Sequence, residues 1–530
     1  MLYSFVVVPI FLSVMLYLFS SKAFVRFASI IAQFGLFIAS IYLFAISSPD
    51  YYIYMSVGGF DGILGIILRA DKLSATFVLL TTFLFLIATL YSFRESKSRL
   101  FWFLMFIWQG TLMGLFLTGD FFNIFVLMEV STVAVAIMIM YNRSNRSLYD
   151  GMIYLMVNTI IIQFYLFGVG FIYRITGGLD LVHVQTALVD LERESLILPY
   201  ALLMTFVALK CALIPLYGWL PKAHGTPGAL SAVSALLSGL HIKSGVYLFL
   251  RFQQVFEPVA MPEIFLVIGL ITAFMGVIMS VSQTDIKLVL AYSTIAQMGL
   301  IIVGFNISYM YSYNFIGSLY HIVNHAIFKS ALFLSAGVIT YAYGTRDITK
   351  IRGVFKTMPL LASAKILAIM GIIGTPLFNG SISKYFLMTG VDWQLNMLMI
   401  VINLGTIIIF MKYCTIFFGT PEGEVHVKTD LWRHIPILIL GILCFVGGIF
   451  GSQAIELLFN FEVSLDARAY IEKSIIFFAS LGAGFLIFKY FVQKSPLLEK
   501  VKEIDMSFRG MCMSMGVFLA VMLVTVGFFG

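Results

Sequence analysis

About sixteen stretches of roughly 20 predominantly apolar residues follow one another along this chain, and roughly 20 is what a helix needs to cross the hydrocarbon core of a bilayer. They centre on 2–20, 24–46, 70–91, 100–118, 120–140, 151–174, 196–218, 227–250, 262–282, 286–305, 313–342, 357–390, 394–418, 434–457, 473–492 and 511–529. Only 11% of the residues are charged, against about 25% in a soluble domain. Such a chain cannot clothe itself in polar groups, so the expected fold class is an all-α polytopic membrane protein. The net charge of +7 does not indicate a nucleic-acid partner, because surplus Lys and Arg in a membrane protein report loop topology. Cys211, Cys414, Cys444 and Cys512 are scattered without a CxxC pair, so no iron–sulfur, haem or zinc signature is present and no cofactor is expected. The opening run MLYSFVVVPIFLSVMLYLFS lacks a basic leader and a cleavage site and reads as the first span.

The loops after odd-numbered spans carry twenty basic residues, Lys428 among them, and those after even-numbered spans carry seven. This bias places the odd loops in the cytoplasm and both termini outside. Six lysines fall inside spans: Lys210, Lys243, Lys329, Lys365, Lys384 and Lys412. One carboxylate joins them, Glu129. Facing lipid, these seven groups would cost on the order of 15–20 kcal/mol, so they are expected to face protein or internal water. A buried amine takes up and releases protons, and a chain of such groups is what a proton path requires.

Each group admits a plainer reading. Glu129, in GDFFNIFVLMEVSTVA, is an ion-pair partner or proton-uptake group, or else half of a static salt bridge. Lys210, in MTFVALKCALIPLYGWLPKAHG, lies more than ten residues from either end of its run, which disfavours snorkelling. Lys243 and His241, two residues apart, point about 200° from each other. Lys243 is the one expected to share a path with Lys210, and His241 reads more naturally as hydrogen-bonded packing. His321, His325 and Lys329 recur at i, i+4 and i+8 on one helix face, the pattern of a proton relay. Zinc is the rival there, but no Glu, Asp or Cys completes a ligand set. Lys365 and Lys412 either belong to the polar path or snorkel.

Pro215 follows Lys210 by five residues, and Gly374, Pro376 and Gly380 precede Lys384. Both spans are expected to be discontinuous, with a lysine beside each break. The two breaks lie five spans apart, which suggests two repeats of inverted topology.

Several ordered motifs resemble one family: GGFDGILGIILRADKLSA, GDFFNIFVLMEVS, LKCALIPLYGWLPKAHGTPGALSAVSALLSGLHIKSGVY, DIKLVLAYSTIAQMGL, HIVNHAIFKSALFLSAG and GTPLFNGSISK. They resemble the antiporter-like membrane subunits shared by Mrp-type cation/proton antiporters, respiratory complex I and membrane-bound hydrogenases, most of all the D-type Mrp subunit. The resemblance implies a core of fourteen helices with two inverted five-helix repeats. It implies N-terminal spans at 1–99, a first repeat at 100–255, a second at 256–420 and C-terminal spans at 421–530. It also implies roles in proton or Na⁺/H⁺ translocation: Glu129 pairing with Lys210, Lys243 central, His325 with His321 beside it, and Lys384 nearest the opposite exit. The implied partners are other hydrophobic subunits, with or without a peripheral redox arm. Lys365 stands where the family is expected to be apolar, and two spans extend past the fourteen-helix core. The rival classes are a non-pumping scaffold, which seven buried charges disfavour, and a quinone-adjacent redox subunit, for which no cofactor ligands exist.

Overall fold

The computed structural model describes residues 1–530 except 20, 49–51, 60–64, 96, 308–311, 422, 428–429 and 530. Lys428 of the loop count and part of GGFDGILGIILRADKLSA therefore lie outside the described residues. Among the described residues 13 helices are long and apolar enough to cross a membrane, and Ser4–Leu18 and Pro359–Ile373 are shorter apolar helices. Every stretch read as a span overlaps helix, those at 196–218 and 357–390 only in part. The sole sheet among the described residues pairs β1 (Ile53–Ser56) antiparallel with β2 (Ile67–Ala70), Ile53 opposite Ala70.

Where helices begin, a short acidic side chain often answers their orphan amides. Asp71 accepts from Ser74 N at 2.7 Å, Asp120 from Asn123 N at 2.6 Å, and Asp285 from Lys287 N at 2.8 Å. Burial differs sharply between helices. The span Ser231–Val255 is enclosed by protein throughout its apolar stretch, whereas only 22% of the corresponding stretch of Ala467–Tyr490 is buried. That second helix leaves Ile475, Phe478 and Phe485 exposed, as a lipid-facing surface does.

The chain forms two compact units. The first comprises Met1–Ala229, Leu240–Met261 and Met506–Gly530, the second Leu230–Gly239 and Pro262–Asp505. Each contains one interrupted helix. In the first unit Arg193–Lys210 stops at Lys210, the backbone turns through Ala212 at φ 52°, and helix resumes at Trp219–Gly225. In the second, Pro359–Ile373 stops at Gly374, with φ 81°, and helix resumes at Asn379–Leu387. A glycine is required where helix resumes after the second break: a Cβ on Gly380 would lie 1.8 Å from the Gly371 carbonyl oxygen. The span carrying Lys243 is irregular too, with a π-helical turn at Leu237–His241 before the α-helix Ile242–Val255. Such turns widen a helix and concentrate at functional sites. Lys222 and Lys287, counted with the loops, are buried at 6% and 4% exposure.

Candidate functional site: a buried lysine at each broken helix

In the first unit Lys210 is the last residue before the break and is buried. Its Nζ donates to Asn158 Oδ1 at 2.7 Å and to Thr132 Oγ1 at 3.2 Å. Glu129 lies one turn before Thr132 on the helix Phe121–Ile139, and its charge acts on Lys210 through space. The two form no ion pair, and Glu129 Oε2 is buried without a hydrogen-bond partner. Lys210 is thus held by neutral oxygens, with a carboxylate nearby and unengaged.

Asn158 links this lysine to His241. Its Nδ2 donates to Tyr154 O at 2.8 Å, and the Tyr154 hydroxyl lies 3.1 Å from His241 Nε2. Trp108 Nε1–H donates to His241 Nδ1 at 3.3 Å. An indole N–H only donates, so Nδ1 is committed as an acceptor and the neutral ring carries its hydrogen on Nε2. Both nitrogens are occupied, in keeping with a packing role. Lys243, two residues on, is completely buried. Its helix passes close behind Lys210: a Cβ on Gly245 would stand 2.8 Å from the Lys210 carbonyl carbon.

In the second unit Lys384 follows the break. Its Nζ donates to Asn403 Oδ1 at 2.7 Å and to Ile372 O at 2.7 Å. Ile372 O is one of the carbonyls that the end of a helix leaves without an amide. Ser383, the preceding residue, lies 2.9 Å from His321 Nδ1 through its hydroxyl, and His321 Nε2 meets Gln297 Oε1 at 3.0 Å. Gln297 Nε2 in turn donates to Thr406 Oγ1 at 3.2 Å. Thr406 and Asn403 are three residues apart on Trp393–Cys414, so one helix face serves both His321 and Lys384. The His321 and His325 rings lie 6.5 Å apart, centre to centre, on the face that the spacing predicts. Lys329, next in that row, donates to Leu290 O at 2.8 Å and also to Ser293 Oγ.

Lys365 and Lys412 have different surroundings. Lys412 Nζ donates to Val281 O at 2.6 Å and Gln283 O at 2.7 Å, closing the C-terminal end of Pro262–Ser282. Lys365 is fully buried, 4.7 Å above the Tyr413 ring, and neither its Nζ nor the Tyr413 hydroxyl makes a hydrogen bond. Among the described residues no group of three or more His, Cys, Asp or Glu side chains could hold a metal ion.

The residues that sequence reasoning missed are the neutral partners, Thr132, Asn158, Gln297, Ser383 and Asn403. Three of them are amides inside apolar runs, and that was the available signal.

Fold and geometry define a multi-pass helical membrane protein with polar rows buried in each of two units and a lysine at each helix break. The chain belongs to the family described as NADH:quinone oxidoreductase/Mrp antiporter, transmembrane, which it matches over residues 118–409. It is 29% identical over 463 residues to the D-type Na(+)/H(+) antiporter subunit of Alkalihalophilus pseudofirmus, covering 84% of this chain and 93% of that protein. It is 30% identical over 435 residues to the N-type NADH-quinone oxidoreductase subunit of Desulforudis audaxviator, covering 76% of this chain and 85% of that one. Its fold is that of a chain in the Mrp complex from Dietzia sp. DQ12-45-1b, with TM-score 0.81, 23% identity, and coverage of 91% and 99%. The family read from the motifs is the family found.

Proposed function

We propose that this chain is an ion-translocating membrane subunit of a multisubunit complex, moving protons or exchanging them for Na⁺. One observation carries the reading: at each helix break a buried lysine is held by an asparagine oxygen at 2.7 Å, not by a carboxylate. Neutral acceptors hold an amine in either protonation state, whereas a fixed ion pair locks it charged. Glu129, Lys210 and Lys243 serve the first unit, and His321, His325 and Lys384 the second. Lys329 and Lys365 are secondary members. His241 and Lys412 have the packing and capping contacts described above.

The likeness to a D-type Na(+)/H(+) antiporter chain favours an antiporter complex, with other hydrophobic subunits as partners. The excess of basic residues in odd-numbered loops supports a cell membrane location with both termini outside. The five-span interval between the breaks supports inverted repeats at 100–255 and 256–420, flanked by spans at 1–99 and 421–530.

The test is Lys243→Ala in the intact complex reconstituted in vesicles. Loss of ion flux with normal subunit composition is the expected result. Undiminished flux would make the chain a scaffold. Mass spectrometry of the purified complex separates the driving reactions: small hydrophobic subunits alone mean a gradient-driven antiporter, and iron–sulfur subunits mean a redox-driven pump.

A further inference from the structure

Beside Lys384 lies a cavity of about 240 Å³ whose wall belongs partly to the helix Ala467–Tyr490, outside the family match at 118–409. Lys384, Asn403, Asn396 and Ser381 line one side, and Tyr470 and Lys473 the other. The helix is fastened to the broken segment at two points. The Tyr470 hydroxyl accepts from Leu377 N at 3.0 Å and lies 2.7 Å from Ser381 Oγ. Lys473 Nζ donates to Tyr385 O at 2.9 Å and sits 4.7 Å over the Tyr385 ring. Asn396 Oδ1 is buried without a partner. The cavity's one lining carboxylate, Glu472, is engaged by Arg468 at 3.4 Å.

We propose that this cavity is the aqueous mouth of the Lys384 pathway and that Lys473 makes it a mouth for protons, closed to alkali cations. The inference rests on the proposed function, because it presumes flux through Lys384. A metal cation must shed water and find oxygen ligands. Here it would meet the Lys473 ammonium, with Lys384 adding a second positive charge whenever it is protonated, while the one lining carboxylate, Glu472, lies toward solvent beside Arg468. A proton has no such difficulty. It is handed along water or hydroxyls and carried as the protonation of Lys384 itself, so no third cation shares the cavity. The carbonyl bond and the ring contact keep Lys473 in place as the standing positive charge. Lys473 is therefore a specificity-determining residue.

The experiment uses the whole complex in vesicles, reading proton flux with a pH dye and ²²Na⁺ flux in parallel for Lys473→Glu, Lys473→Gln and Lys473→Arg. The expected result is a rise of about tenfold or more in the Na⁺-to-H⁺ flux ratio for Lys473→Glu, a smaller rise for Lys473→Gln and the original ratio for Lys473→Arg. An unchanged ratio in Lys473→Glu and Lys473→Gln overturns the proposal. So does loss of proton flux in all three variants, which would make the residue structural. Lys384→Ala is the separate control: undiminished proton flux there removes the pathway itself, whatever Lys473 does.

Discussion

The two helix breaks solve one problem differently. Ending a helix inside a membrane strands carbonyl groups that water cannot reach. After Lys210 the Leu209 carbonyl accepts from the Ala212 amide at 2.9 Å and from the Trp219 indole at 2.8 Å, leaving the lysine to Asn158 and Thr132. After Ile373 no indole intervenes, and Lys384 itself takes the Ile372 carbonyl. In the first unit the backbone is satisfied by a turn amide and a packing residue, and the lysine is free to respond to Glu129. In the second the lysine is part of what satisfies the break. Removing Lys384 should therefore cost more than transport. Lys384→Ala and Lys210→Ala are both expected to cut ion flux about 100-fold or more. Each truncation strands an asparagine oxygen, and Lys384→Ala strands the Ile372 carbonyl besides, so it should lower the thermal stability of the purified complex further than Lys210→Ala does, by about 1–3 kcal/mol. Equal melting temperatures for the two variants would break the comparison.

The glycines sharpen it. Gly380→Ala drives a methyl into the Gly371 carbonyl, with only backbone to yield, so the second break cannot close. Flux loss comparable to that of Lys384→Ala is expected, with reduced accumulation of the subunit. Gly245→Ala meets the Lys210 backbone at a longer distance and should leave more protein assembled. Immunoblots of membranes from the two variants decide it.

The histidines form a second contrast. His241 accepts from Trp108 at Nδ1, so a proton there would cost that bond. His321 faces groups that adapt: Ser383 accepts or donates, and its hydroxyl also reaches Asn379 O and Gly380 O. Either protonation state of His321 keeps both of its contacts, as a relay requires. His321→Gln is expected to lower flux about tenfold, equivalent to about 1.4 kcal/mol, and to flatten its pH profile. His241→Gln should leave the profile in place. A flattened profile in His241→Gln with none in His321→Gln would reverse the assignment.

Much of this was legible because charge and chain breaking are strong signals in an apolar chain. Pro215 and the Gly374–Pro376 pair marked both breaks, and the buried lysines stood out as residues no lipid-facing helix tolerates. What stayed hidden was pairing. The family resemblance pairs Glu129 with Lys210, yet an asparagine, Asn158, is what the Lys210 amine bonds. Sequence weights a carboxylate far above an amide, while a hydrogen bond depends on which helix face is opposite, and that is set by packing. Lys473 was concealed otherwise: its helix starts at Ala467, nearly two turns earlier, so a lysine counted as loop lies on a helix wall.

The smallest effects concern the ends of the spans, where each unit caps a helix with an aspartate paired to an arginine. Asp71 meets Arg251 at 2.6 Å with both side chains about one-tenth exposed, and Asp285 meets Arg346 at 2.8 Å with both about one-quarter exposed. Burial opposes the charge on Asp71, but the Arg251 guanidinium and the Ser74 N–H outweigh it and hold its carboxyl below the usual carboxylate range. A depressed carboxyl stabilises the fold above its unfolded value of about 3.9 and loses that contribution only as pH falls through the lower folded value. Asp71 should therefore stabilise the first unit undiminished from pH 7 to about pH 5. Asp71→Asn leaves Arg251 opposite a neutral amide and should cost about 1–2 kcal/mol at pH 7, more than Asp285→Asn, whose pair is better solvated. Thermal unfolding of the detergent-solubilised complex at pH 7 and pH 3.5 measures both. The deficit of Asp71→Asn should shrink at the lower pH, and a deficit that stays constant would mean that the Asp71 carboxyl contributes through its shape and not its charge.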